Sequence, residues 1–159
     1  MKIYMGIDNG VTGSVSIIKN NEVFYFPIPT KSEQSYTKTK QNITRIDCPG
    51  LRDILLEYLP IDIRVFCLLE RPMVNPGRFK ATASALRALE ATLIVLEQLA
   101  IPFQYIDSKE WQKALLPKGI EKEELKKVAL DVARRLFPQI QTKDADSLLI
   151  AEYARRMGF

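Results

Sequence analysis

Four carboxylates stand out by position, and they frame the chemistry this sequence can offer. Asp8 ends an apolar stretch, KIYMGID, just before the turn NGVTG with its Gly10 and Gly13. Glu70 ends a second apolar stretch, RVFCLL. Asp144 and Asp146 open the segment KDADSLLIAEYARR. Acids are seldom carried into a protein interior unless they are paired or bind a cation. If the segments ending in Asp8 and Glu70 are neighbouring strands, two carboxylates come close together and their repulsion calls for a cation. Each acid also has a plainer reading: Asp8 as a turn residue, Glu70 as a surface ion pair with Arg71, and Asp144 as a helix cap.

The chain contains no histidine, which excludes Ser-His-Asp and Cys-His mechanisms and any His-ligated zinc. Cys48 and Cys67 read as reduced and incidental. An all-carboxylate donor set suits a hard ion, Mg²⁺ with Mn²⁺ as a substitute. Acids that hold two such ions are what phosphodiester hydrolysis requires. A net charge of +4 and a pI near 9.1 are compatible with a polyanionic partner.

The elements that must position these acids follow from pattern. Residues 2–8, 14–19 and 22–28 read as three strands, with Asn20-Asn21 as a hairpin turn and Pro27 as a strand end or edge. Residues 29–47 are polar and read as a mobile loop. Leu51, Ile54, Leu55 and Leu59 are spaced for a helix after Pro49. Residues 64–69 suit a strand buried on both faces. Residues 80–99 predict a long helix, with Ala81, Ser84, Ala85, Ala88 and Ala91 forming a face of small side chains. A strand over 102–106 follows, then helices over 108–115, 121–136 and 145–157, the last with a buried stripe of Leu149, Ile150, Tyr153 and Met157. The order predicts one α/β domain over 1–159, with a mixed sheet flanked by helices on both faces. Asp144 and Asp146 would point nearly opposite ways in a regular helix, so they share a site only if Asp144 lies outside it.

Three segments in order, GIDNGVTGSVSII, CLLERP and KDADSLLIA, resemble the RuvC-type Holliday-junction resolvases, especially their phage branch, within the RNase H-like superfamily. The resemblance spans nearly the whole chain. It implies a five-stranded mixed sheet, a homodimer, branched DNA as substrate, two Mg²⁺ ions per site and metal ligation by Asp8, Glu70 and Asp146. The family's fourth acid lies three or four residues before that last aspartate, where this chain has Lys143 and Thr142. Asp144 is the nearest substitute. The resemblance also implies basic residues after the fifth sheet strand, here Lys109, Lys113, Lys118 and Lys122, with Lys122 placed to meet the scissile phosphate. The segment RPMVNPGRFK would face the junction, with Arg71, Arg78 and Lys80 for phosphates and Met73 and Phe79 as wedges or stacking groups. Phe79 could instead belong to the core, and the lysines to a solvated helix face.

Three other functions remain open: a non-catalytic branched-DNA binder, an RNA-processing nuclease of the same superfamily, and an ATP-handling protein suggested by GIDNGVTG. The last needs two such domains, so no nucleotide cofactor is expected. No apolar run is long enough for a membrane span, and the N-terminus has no signal-peptide pattern, so a cytoplasmic location is expected, in the host cell if the chain is phage-encoded.

Overall fold

The computed structural model describes residues 2–60 and 64–159. A five-stranded mixed sheet forms its centre. Its strands are β1 (Ile3–Asp8), β2 (Ser14–Lys19), β3 (Glu22–Pro27), β6 (Val65–Glu70) and β7 (Phe103–Ile106), in spatial order β3-β2-β1-β6-β7. The first three form an antiparallel meander, and β1, β6 and β7 run parallel. Pro27 ends the edge strand β3, where its missing N–H costs no ladder bond.

Strand alternation sorts the side chains into two cores. Ile3, Met5 and Ile7, with Val15, Ile17, Val65, Cys67 and Leu69, face α1 (Cys48–Tyr58) and α2 (Phe79–Gln98). Ile18 and Leu68 face the other layer: α3 (Ser108–Leu115), α4 (Leu125–Leu136) and α5 (Asp146–Met157). The mixed five-stranded sheet with helices on both faces is therefore as the sequence predicts.

Helix α5 lies directly over β1. A β-carbon at Gly6 would overlap the carbonyl oxygen of Ser147 and the amide nitrogen of Ala151, so only glycine permits this approach. Almost every residue from Ser147 to Ala154 is buried; Met157, expected in the buried stripe, is exposed because it belongs to the final turn beyond the sheet.

Two further expectations are corrected. Residues 29–47 are not an irregular loop: β4 (Thr30–Gln34) and β5 (Asn42–Ile46) pair as a separate antiparallel hairpin. Its strands are polar on both faces, so no hydrophobic alternation marks them. Helix α4 begins at Leu125, not 121, because residues 122–124 form turns. Part of the small-residue face of α2 packs within the chain: Ala88 is buried, Ala91 packs on the core, and the Ala85 carbonyl accepts a hydrogen bond from Asn9 Nδ2 at 3.2 Å, while Ala81 is exposed.

Candidate metal centre

The parallel register pairs Ile7 with Leu69, which brings the next residues, Asp8 and Glu70, side by side at the C-terminal ends of the two central strands. Such strand ends are where α/β sheets build their sites. Both acids share the strand face that looks toward α5, by the same alternation that buries Ile7 and Leu69 on the other side. The tight turn behind Asp8 needs Gly13, whose β-carbon would overlap the Asp8 carbonyl.

The start of α5 supplies the remaining acids. Asp146 is the first helical residue, and Asp144 precedes the cap residue Ala145. Asp144 is thus outside the regular helix, the condition under which it can face the same site as Asp146. One carboxylate oxygen each from Asp8, Asp144 and Asp146 lies within 4.8 Å of the others. Glu70 lies outside that trio but close enough to Asp8 for its charge to raise the Asp8 carboxyl.

Two sets of side chains hold these acids in place. Trp111, fully buried on α3, donates its indole N–H to Glu70 Oε1 at 3.0 Å. Ser14 donates to Asp144 Oδ2 at 3.3 Å and lies 2.7 Å from Ser147 Oγ, which is 2.7 Å from Ser16 Oγ. These three hydroxyls form a buried ladder between β2 and α5, and each finds partners only within it or at the acid. Thr142 adds a local turn, accepting from the Asp144 amide at 3.0 Å and donating to its carbonyl at 2.7 Å.

Electrostatics mark the crowding. Burial pushes the Asp8 carboxyl up to about 9, reinforced by the charges of Glu70, Asp144 and Asp146. Burial likewise raises Asp146 to about 7, with Asp144 and Glu70 adding to the shift and Lys126 opposing it. Burial raises Glu70 too, while the hydrogen bonds from Trp111 and Asp8 pull it back. An all-oxygen, partly buried donor set of this kind fits a hard divalent ion.

The remaining sequence candidates fall outside the cluster. Arg71 does not pair with Glu70; its Nε lies 3.1 Å from Asp107 Oδ1 and its guanidinium 5.1 Å from the Tyr105 ring centroid. The segment after Glu70 is solvent-facing, with Met73 82% and Phe79 76% exposed, so Phe79 is not a core residue. Asn75 organises this segment by accepting from the Gly77 amide and exchanging hydrogen bonds with Thr82. Arg78 and Lys80 flank Phe79 and are exposed, as are Lys109 and Lys113 on α3 and Lys118 and Lys122 in the turns before α4. The basic side chain felt by Asp146 is Lys126, one turn into the helix from Lys122. Sequence reasoning passed over Lys126, Trp111 and the serine ladder. Trp111 carried a signal: it is the sole tryptophan, and a buried indole N–H needs an acceptor.

A cavity of about 890 Å³, lined in part by Ile3, Leu55, Val65 and Phe159, lies at the opposite ends of the strands. The acids do not line it.

No family model and no curated protein matches this chain. Among solved structures, RuvC of T. thermophilus in complex with a Holliday-junction substrate aligns over 99% of this chain and 97% of its own, with 14% identity and a TM-score of 0.62. A second structure of Thermus thermophilus RuvC covers 98% and 96%, with 15% identity and a TM-score of 0.56. The fold that the three sequence segments anticipated is therefore the one the backbone adopts: this chain has the RuvC-type Holliday-junction resolvase fold.

Proposed function

We propose that this protein is a metal-dependent, structure-selective endonuclease that cleaves Holliday junctions and related branched DNA. The observation that carries the reading is the convergence of Asp8, Asp144 and Asp146 within 4.8 Å at the strand ends, with Glu70 on the neighbouring strand beside Asp8. Their place in a RuvC-type fold directs that chemistry toward junction DNA, since the T. thermophilus protein of that fold is complexed with a Holliday junction.

Asp8, Asp144 and Asp146, with Glu70 beside them, would hold Mg²⁺ or Mn²⁺, as two ions. Bound there, the ions would supply Lewis acidity and a water of lowered pKa for attack on a phosphodiester. The chain's own residues do the rest. Trp111 fixes the rotamer of Glu70. Ser14, backed by Ser147 and Ser16, orients Asp144, so that an acid two residues before Asp146 serves the site. Lys126, with Lys122 one turn earlier, brings positive charge toward a phosphate held at the acids. The solvent-facing segment after Glu70 is open to a polymer, and Met73 and Phe79 there present apolar groups to unstacked bases. Arg78, Lys80, Lys109, Lys113 and Lys118 provide phosphate contacts, and recognition rests on shape more than on base sequence. The protein works as a homodimer in the cytoplasm, one site for each of two strands.

The test is cleavage of a synthetic four-way junction, a fork, a linear duplex and a structured RNA, with and without Mg²⁺ or Mn²⁺. Metal-dependent nicking of the junction is expected. Binding without cleavage in either metal would leave a branched-DNA binder, and preference for RNA would leave an RNA-processing nuclease.

A further inference from the structure

The β4–β5 hairpin is placed to do more than connect β3 to α1. Asp8 pairs with Ser14, and Ser14 with Pro27, so β3 ends level with the acids. The chain is tied there, Ile28 N to Gly13 O at 3.0 Å and Asp47 N to Pro29 O at 2.9 Å. From that row, at the end of the sheet that carries the acids, the hairpin leaves on the α1–α2 face. Its base is buried through Ile28 and Ile46, and β5 leans on α2 through Ile46 near Ala88 and Ala91. Five strand residues at about 3.4 Å each give an arm of roughly 17 Å.

Charge on this arm is sorted along its length. Glu33, its sole acid from Thr30 to Ile46, is neutralised twice, by Lys31 Nζ at 2.6 Å and Arg45 NH1 at 2.6 Å. The tip, Ser35 to Gln41, carries Lys38 and Lys40, which form no ion pair among the described residues, and Tyr36, which is 88% exposed. A tip with two free cations and a bare aromatic ring fits a nucleic-acid strand: ammonium groups for phosphates, a ring face for a base exposed at a branch.

We infer that the β4–β5 hairpin is a DNA-gripping arm, with Lys38 and Lys40 on backbone phosphates and Tyr36 against an unstacked base at the branch. This rests on the nuclease reading above, because the arm's root at the same end of the sheet as the acids is what selects DNA as its partner.

The experiment compares wild-type protein with K38A/K40A, Y36A and E33Q by anisotropy on a labelled four-way junction, over a salt series and with Ca²⁺ in place of Mg²⁺. The tip makes no core contact, so thermal melting should match wild type. The double lysine variant should bind about tenfold more weakly, with a log Kd against log salt slope reduced by about two. Y36A should weaken junction binding more than duplex binding and leave the slope unchanged. E33Q releases Lys31 and Arg45 and should bind more tightly. Wild-type affinity and slope in K38A/K40A would overturn the arm while leaving the nuclease reading intact. Absence of junction binding by the wild-type protein would overturn both.

Discussion

Trp111 and Glu70 are joined across two elements: the indole N–H of α3 meets the carboxylate that ends β6 at 3.0 Å. The bond uses one oxygen of Glu70. It also explains why a tryptophan, and no aliphatic residue, fills this part of the core. Trp111→Phe keeps most of the ring volume and removes the donor. It should lower cleavage roughly tenfold, as loss of a ligand's outer partner typically does, and cost about 1–3 kcal/mol of stability from the unpaired carboxylate. Single-turnover rates and a denaturant melt check the two effects separately. Wild-type turnover in this variant would show that Glu70 needs no fixing.

Asp8→Asn and Glu70→Gln preserve shape and remove charge. Each should reduce junction cleavage by more than ~10²-fold, beyond the effect of disturbing a ligand's support, while junction binding persists. Asp144→Asn should behave in the same way, and Lys143→Ala should cut normally, because Asp144 and not the neighbouring position faces the acids. Wild-type cutting by Asp144→Asn would reduce the site to Asp8, Glu70 and Asp146.

The pH dependence of stability without metal has a definite sign. Asp8 and Asp146 are raised from 3.8 to about 9 and about 7 in the folded chain. Between those values and 3.8 the folded state binds protons that the unfolded state has lost. Their contribution to stability is therefore complete below about pH 4 and drains away as pH rises through 7 for Asp146 and 9 for Asp8. A divalent ion needs the deprotonated acids and replaces those protons. The melting temperature of metal-free protein should fall between about pH 5 and about pH 9, and added Mg²⁺ should raise it more at the alkaline end. A Mg²⁺ effect that shrinks with pH would contradict this arrangement.

Ser147→Ala cuts the hydroxyl ladder at its middle and leaves Ser14 and Ser16 under-satisfied in a buried place. A loss of about 1–2 kcal/mol is expected by chemical denaturation. Ser14→Ala should also weaken Mn²⁺ binding, since Asp144 loses its orienting donor. Unchanged Mn²⁺ affinity in Ser14→Ala would make the ladder a packing device alone.

Lys126→Ala and Lys122→Ala separate the two basic candidates on the α4 side. Lys126 is the one whose charge reaches Asp146, so its removal should slow cleavage about tenfold or more, with Lys122→Ala nearer to wild type. The reverse ranking would return the role to Lys122.

How legible the site was depends on what fixes each residue. Asp8 and Glu70 could be read because buried strands announce themselves as apolar runs, and the residue that ends the run inherits their position. The Asp146 side of α5 followed from the spacing of Leu149 and Ile150. Asp144 was undecidable from spacing, since its direction depends on where the first helical turn begins. The hairpin was illegible because β4 and β5 pair only with each other and are stabilised by cross-strand polar pairs such as Glu33 with Arg45, which leave no hydrophobic period. Trp111 was passed over, because only the fold shows which carboxylate its N–H meets.

Gly6 has a consequence for how the substrate must be handled. β1 and α5 approach main chain to main chain there, which ties the strand that carries Asp8 to the helix that carries Asp146. On the proposed function, acids held this way would act as a template to which the nucleic acid bends. Branched DNA, already unstacked at its crossover, yields to such a template at lower cost than a continuous duplex, so selectivity for branch points would come from the stiffness of the protein as much as from any contact it makes.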